Sequence, residues 1–302
     1  METVNSNELS FKYKAFGLKI YSLIPIPELR TSKFETADII INLGKVNVPS
    51  YDILDEGLSY KVTENSIYRF WDLIGKFKIT KDSIIINPAK GVNKIILRNF
   101  LLGTVFATLL RLRGLFVLHA SSVNINGSAI AFSGFKGYGK STTAMAFYKE
   151  GYPIVADDYI SIEFDYDNNP TISPGFPSLR LSNNSRDFMG IDKFSSDNSI
   201  DKTYLSTLKS FSCNKIPLKK IYILQRDEES KIINIKPQKA FIELVKNTFG
   251  IYMFSKLELP TNFFSCEKIV KNVDVSILKI SDSLEKIPEI VNIVEKNIGK
   301  KL

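Results

Sequence analysis

Along the first third of the chain, apolar residues come in short runs. Residues 16–22, 38–42, 67–70, 77–80 and 83–87 are rich in Ile, Phe and Tyr. Pro25, Pro27, Pro49, Asp55-Glu56-Gly57 and Asn87-Pro88 punctuate them, which predicts strands joined by turns. A β-rich amino-terminal domain over residues 1–95 is expected.

From Asn93 the period lengthens. Leu97, Leu101, Leu102, Val105, Leu109 and Leu112 recur at helical spacing, and Gly114 is a natural stop. The most apolar part, residues 100–112, is about 13 residues long against the roughly 20 needed to span a bilayer, so it reads as a buried helix bridging two parts.

Two β-type runs follow, residues 115–125 and 128–133, separated by Asn126-Gly127. That dipeptide is the strongest short-range hairpin signal, because both central residues of a type I′ turn need positive φ. The two-residue turn sets the register: Ile125 opposite Ser128, Val123 opposite Ile130, Ser121 opposite Phe132 and His119 opposite Gly134. Beyond it the pattern predicts a helix over 139–150 closed by Gly151, and a buried strand at Pro153-Ile154-Val155-Ala156. Strands at 221–224, 232–235 and 275–280 and helices at 240–248 and 283–297 complete the expected α/β domain, residues 96–302.

Composition narrows the function classes. With 302 residues and 44% hydrophobic content the chain can bury one large core or two modest ones. The formal charge of +8 is spread along the chain with no basic block, so nucleic acid is not an expected partner. Cys213 and Cys266 lack a paired metal spacing, and Met1 to Asn7 lack the pattern of a secretion signal; a reduced, cytoplasmic setting without a membrane partner is expected.

The chemistry concentrates in three places. Gly134-Phe135-Lys136-Gly137-Tyr138-Gly139-Lys140-Ser141 fits G-x-x-x-x-G-K-[ST], between a strand and a helix. Glycines let the backbone wrap so that successive N–H groups and the helix N-terminus face a polyphosphate. Lys140 would reach the β and γ phosphates, Ser141 would bind Mg²⁺, and Lys136 and Thr142 belong to the same cradle. Asp157-Asp158 ends the next strand, where one carboxylate could serve the metal and the other a hydroxyl acceptor's proton. His119, the chain's single histidine, is placed by the hairpin register at the mouth of the loop. Arg180 and Arg226 are further candidates for phosphoryl charge.

Leu118-His119-Ala120-Ser121, the glycine loop, a helix and Val155-Ala156-Asp157-Asp158 together resemble the catalytic domain of bacterial HPr serine kinase/phosphorylases, whose phosphate loop is shared with phosphoenolpyruvate carboxykinases. Tyr13-Lys14-Ala15-Phe16-Gly17-Leu18, Ile26-Pro27-Glu28-Leu29, Pro174 to Arg180 and Pro217 to Leu224 resemble a subgroup, the HPr-kinase-like tailoring kinases of lasso-peptide clusters. The glycine- and arginine-rich signature that follows the aspartates in HPr kinases is absent, and Arg180 stands only loosely in its place. The resemblance implies an HPr kinase/PEP carboxykinase-like P-loop domain that uses ATP and Mg²⁺ to phosphorylate a serine hydroxyl, on a peptide precursor. It implies Asp157 as the base, Asp158 and Ser141 as metal ligands, and His119 and Arg180 beside the transferred phosphate. A small-molecule kinase and a nucleotide-binding regulator without transfer stay open as alternatives, as do the acceptor and the oligomeric state.

Overall fold

The structure is a computed structural model describing residues 10–188, 190 and 202–299; the polar stretch Met1 to Asn7 lies outside them. The fold is mixed α/β and divides into two compact units, Met1–Leu115 with Tyr252–Leu257, and Phe116–Ile251 with Glu258–Leu302.

The first unit is built on nine strands: β1 (Phe11–Ala15), β2 (Leu18–Ser22), β3 (Arg30–Thr31), β4 (Ile39–Leu43), β5 (Asp55–Gly57), β6 (Tyr60–Val62), β7 (Ile67–Trp71), β8 (Gly75–Ile79) and β9 (Ser83–Pro88). They form one sheet in the order β3-β1-β2-β4-β9-β8-β7-β6-β5. The run expected over 16–22 is shorter than predicted. Phe16 takes φ 52° and Gly17 φ 76°, making a tight turn that pairs Ala15 with Leu18. In β4, Ile39 and Ile41 point inward while Ile40 stays 40% exposed, because successive strand side chains leave opposite faces.

The helix predicted from Asn93 is present but interrupted. Asn93 Oδ1 accepts the Ile95 N–H at 2.8 Å, a side-chain N-cap for α1 (Lys94–Phe100). A π-type turn at Leu101–Val105 follows, with Gly103 out of helical geometry (ψ −110°), before α2 (Phe106–Leu112). The whole run of 19 residues is apolar and long enough to cross a bilayer by length and composition, and 72% of it is buried in the fold. The helix lies within the first unit, where the aromatics on either side of the π-type turn pack: Phe106 stacks on Phe16 at 5.6 Å and Phe100 meets Trp71 edge-on at 4.7 Å.

The second unit contains β10 (Phe116–Leu118), β11 (Ala120–Ile125), β12 (Ser128–Ser133), α3 (Lys140–Lys149), β13 (Ile154–Ala156), β14 (Ile160–Phe164), β15 (Pro170–Ile172), β16 (Ser178–Ser182), α4 (Asn183–Phe188), β17 (Lys202–Ser206), β18 (Ile216–Arg226), β19 (Lys231–Asn234), α5 (Pro237–Asn247), α6 (Ser255–Asn272, which starts in the first unit's segment), β20 (Asp274–Ile280) and α7 (Ile287–Asn297). The hairpin register is as expected, with Ile125 opposite Ser128 and Ser121 opposite Phe132. Phe132 packs between Phe147 of α3 (5.3 Å) and Tyr222 of β18 (5.9 Å), in a core that α3 and α7 close with Met145, Ile290 and Val294. Each such side chain contributes about 1.5–3 kcal/mol when fully buried.

Strand directions position the chemistry. β12 and β13 are both antiparallel to β11 and so run the same way, while β18 and β20 run parallel to β12. The carboxyl ends of β13, β12, β18 and β20 therefore open on one edge of the sheet.

Candidate active site

The glycine loop joins β12 to α3 and takes its shape from positive φ at Gly134 (149°), Gly137 (90°) and Gly139 (83°). At Gly134 glycine is required twice over, because a Cβ there would also meet the Leu224 carbonyl oxygen at 3.0 Å. Lys140 is buried, and its Nζ donates to the carbonyls of Gly134 (2.9 Å) and Phe135 (3.1 Å), so the ammonium lies inside the curve of the loop. Lys136 and Gly137 are exposed at its rim, and Tyr138 N–H donates to Phe135 O at 3.2 Å. Thr142, in the first turn of α3, shares a hydroxyl contact of 3.0 Å with Ser185 of α4.

Asp157 and Asp158 leave the end of β13 beside this loop, and their environments differ. Asp157 is buried: Oδ1 accepts from Ser121 Oγ at 2.5 Å, Oδ2 accepts from the Arg180 N–H at 2.7 Å, and the nearby Ser141 hydroxyl favours its charged form. Burial pushes its carboxyl above the ordinary range, the charge of Asp158 adds to the rise, and the Arg180 N–H with the Ser121 and Ser141 hydroxyls opposes it. Asp158 takes φ 63° and meets Arg180 Nη1 at 3.1 Å. Arg180, from β16, therefore holds both carboxylates, one through its backbone and one through its guanidinium. Ser121 was not among the candidate residues, although the predicted hairpin register carries it toward β13: its neighbour Ser122 pairs with Ala156, directly before Asp157.

His119 departs from the expected pairing with Gly134. The ladder ends at Ala120 opposite Ser133, because His119 bends between β10 and β11 and Gly134 turns away into the loop. The histidine still borders the site. Its carbonyl accepts from Ser133 Oγ at 3.0 Å, its N–H donates to Asn247 O at 3.0 Å, and its ring lies 5.4 Å from that of Tyr159, next to Asp158. Arg226 does not stand ready for phosphate. Its Nη2 donates to Gly137 O at 2.9 Å, its Nη1 to Ser281 O at 3.1 Å, and Nε meets Asp282 at 3.0 Å, so it ties the loop to the end of β20.

The donors fit a hard, oxygen-seeking cation. Ser141 and Asp157 offer oxygens of the kind Mg²⁺ takes, and among the described residues no group of three or more His, Cys, Asp or Glu side chains could hold a metal alone. A cation here would share its shell with ligand oxygens, as in nucleotide-dependent phosphoryl transfer.

No family model matches the sequence. No curated protein matches it either. Among solved structures, the Hpr(Ser) kinase/phosphatase from Coxiella burnetii is similar over 60% of this chain and 95% of its own, with 10% identity and a TM-score of 0.33.

Proposed function

We propose that the second unit is an ATP-dependent phosphotransferase that moves the γ-phosphoryl group to a serine hydroxyl, on a peptide precursor of the kind the sequence resemblance implies. The observation that carries this reading is the buried Asp157 beside Asp158, both bonded by Arg180, at the same sheet edge as a glycine loop that holds the buried Lys140 ammonium inside its curve.

The hydrogen bonds also supply a reason to exchange the two aspartate roles expected from sequence. Asp157 is buried with both oxygens engaged by protein donors, and the Ser141 hydroxyl favours its charge, so it is assigned to the metal side. Asp158 is the more exposed of the two and is assigned to take the acceptor proton. Its partner Arg180 would be drawn to the developing phosphoryl charge, leaving the Asp158 carboxylate to the acceptor hydroxyl. Lys140 would trade its two loop carbonyls for phosphate oxygens. When bound, Mg²⁺ supplies neutralisation of phosphate charge.

The reading is tested by incubating the full chain with MgATP and a panel of serine-containing peptides and small hydroxyl metabolites, read by intact mass. A gain of about 80 Da, one phosphoryl group, on a peptide that disappears in Asp158→Asn is the expected outcome. Transfer to metabolites alone would move the acceptor class, and nucleotide binding without transfer to anything would make the protein a regulator.

A further inference from the structure

On the other side of the glycine loop from the aspartates lies a cavity of about 210 Å³. Its floor is the carboxyl end of β18, its walls are the loop and α5, and its lining includes Phe135, Tyr138, Gln225, Glu243, Asn247 and Lys279. The local strand order, β13-β11-β12-β18-β20, places Asp157 on one flank of the loop strand and this cavity on the opposite flank.

We propose that this cavity receives the base of the nucleotide, a heteroaromatic ring bearing an exocyclic amine; the proposal rests on the nucleotide reading above. A polyphosphate lying along the loop with its terminal group at Ser141 and the aspartates must send its nucleoside the other way, and the cavity is what it meets there. The two cations of the lining are already engaged, Arg226 by Asp282, Gly137 and Ser281 and Lys279 by Asp227 at 3.6 Å, which leaves acceptor, amide and aromatic groups to face a base. Glu243 is a buried carboxylate beside the loop, and it would repel an anion while accepting from ring or amine N–H groups. Gln225 and Asn247 each carry the donor and acceptor pair that reads a base edge. Phe135 stands 55% exposed at the rim, set at 88° to Tyr138 with ring centroids 5.8 Å apart, and offers a face on which a base can stack.

Placement on β18 and α5 also makes the cavity independent of the reacting end. Glu243 is held by Lys246 at 2.9 Å, and Asn247 Nδ2 donates to the Glu243 carbonyl at 2.8 Å, so both are fixed by α5 itself. Arg226, clasping Gly137 and Ser281, keeps the loop wall in place against β20.

The experiment is calorimetric titration of the full chain with MgATP and, separately, with magnesium tripolyphosphate, which has the phosphates and no nucleoside. The wild type is expected to bind MgATP more tightly than tripolyphosphate. Glu243→Gln, which turns one acceptor oxygen into a donor, and Gln225→Ala, which removes a donor and acceptor pair from the lining, are each expected to weaken MgATP by about ten-fold and to leave tripolyphosphate unchanged. Equal binding of the two ligands by the wild type, or variants that weaken both alike or neither, overturns the cavity assignment and leaves the loop reading standing. Binding of neither ligand by the wild type overturns the nucleotide reading, and this proposal with it.

Discussion

The glycine loop and the aspartate turn both stand at the carboxyl edge of one sheet, yet they are made in opposite ways. The loop is a backbone device. Three glycines adopt positive φ, and what they present is N–H groups and a helix start, so the loop depends on few neighbours beyond the close carbonyl of Leu224. The aspartate turn is a side-chain device. Asp158 pays about 1 kcal/mol for a left-handed conformation, and Asp157 is held as a buried carboxylate by Ser121 and the Arg180 N–H, from two other parts of the chain. A backbone cradle is specified locally, whereas a tuned carboxylate is specified by whatever the fold carries to it.

That contrast can be broken from either side. The largest effect is expected from the loop: Lys140→Ala should lower kcat/KM for phosphoryl transfer by at least about 10²–10³-fold, with the circular dichroism of the fold unchanged. A nearly active Lys140→Ala enzyme would remove the loop from the reaction.

On the aspartate side, Asp157→Asn should slow transfer by about 10²-fold and yet raise the melting temperature at neutral pH. The sign follows from the direction of the shift. The folded carboxyl holds its proton more tightly than the unfolded one, so its contribution to stability is fully present below the ordinary Asp range and is lost as pH rises through the raised folded value. The asparagine variant escapes that loss. Its advantage over wild type should grow with pH to roughly 2–4 °C for each kcal/mol involved, as read by calorimetry from acid to neutral pH. A wild type that gains stability relative to the variant on the same rise would reverse the inferred shift.

Gly134→Ala tests how strictly the loop is a backbone device. It is expected to lower the melting temperature by roughly 2–8 °C, the equivalent of about 1–2 kcal/mol, through the left-handed strain and the Leu224 carbonyl 3.0 Å away. Gly137→Ala has the strain and no close neighbour, so it should cost less.

The smallest expected effect is the sharpest test of the side-chain device. Ser121→Ala removes one hydrogen bond that holds the Asp157 pKa down, so that pKa should rise further. The acidic limb of the rate profile should then move to higher pH, with the plateau rate changed by less than about ten-fold. A profile that stays in place would mean that Ser121 only fills space.

Parts of this arrangement were legible beforehand. Asn126-Gly127 announced a hairpin whose register is seen at every pair from Ile125–Ser128 to Ala120–Ser133, because a type I′ turn leaves no freedom in pairing. The same logic failed one residue further on, at His119, where the backbone bends to reach Asn247 of α5. The ribbon of β16 and β17 and the helices α4 and α6 carried no clear periodic signal. In α6, Pro260 sits inside the helix and Phe263 and Phe264 are exposed, so the usual marks of a helix face are blurred.

What the sequence by itself determined is what neighbouring residues settle among themselves: the glycine loop between a strand and a helix, the hairpin, and the pair of aspartates at a strand end. Turn chemistry and glycine φ are local, so a few adjacent residues suffice. Only the tertiary structure decided which aspartate is buried, that Ser121 and Arg180 attend the pair, and that Glu243 and Asn247 line a cavity across the loop. Those meetings depend on β11 lying between β12 and β13 and on β18 lying along the other flank of β12. Strand order is set by burial of the whole core, and no single stretch of the chain carries it.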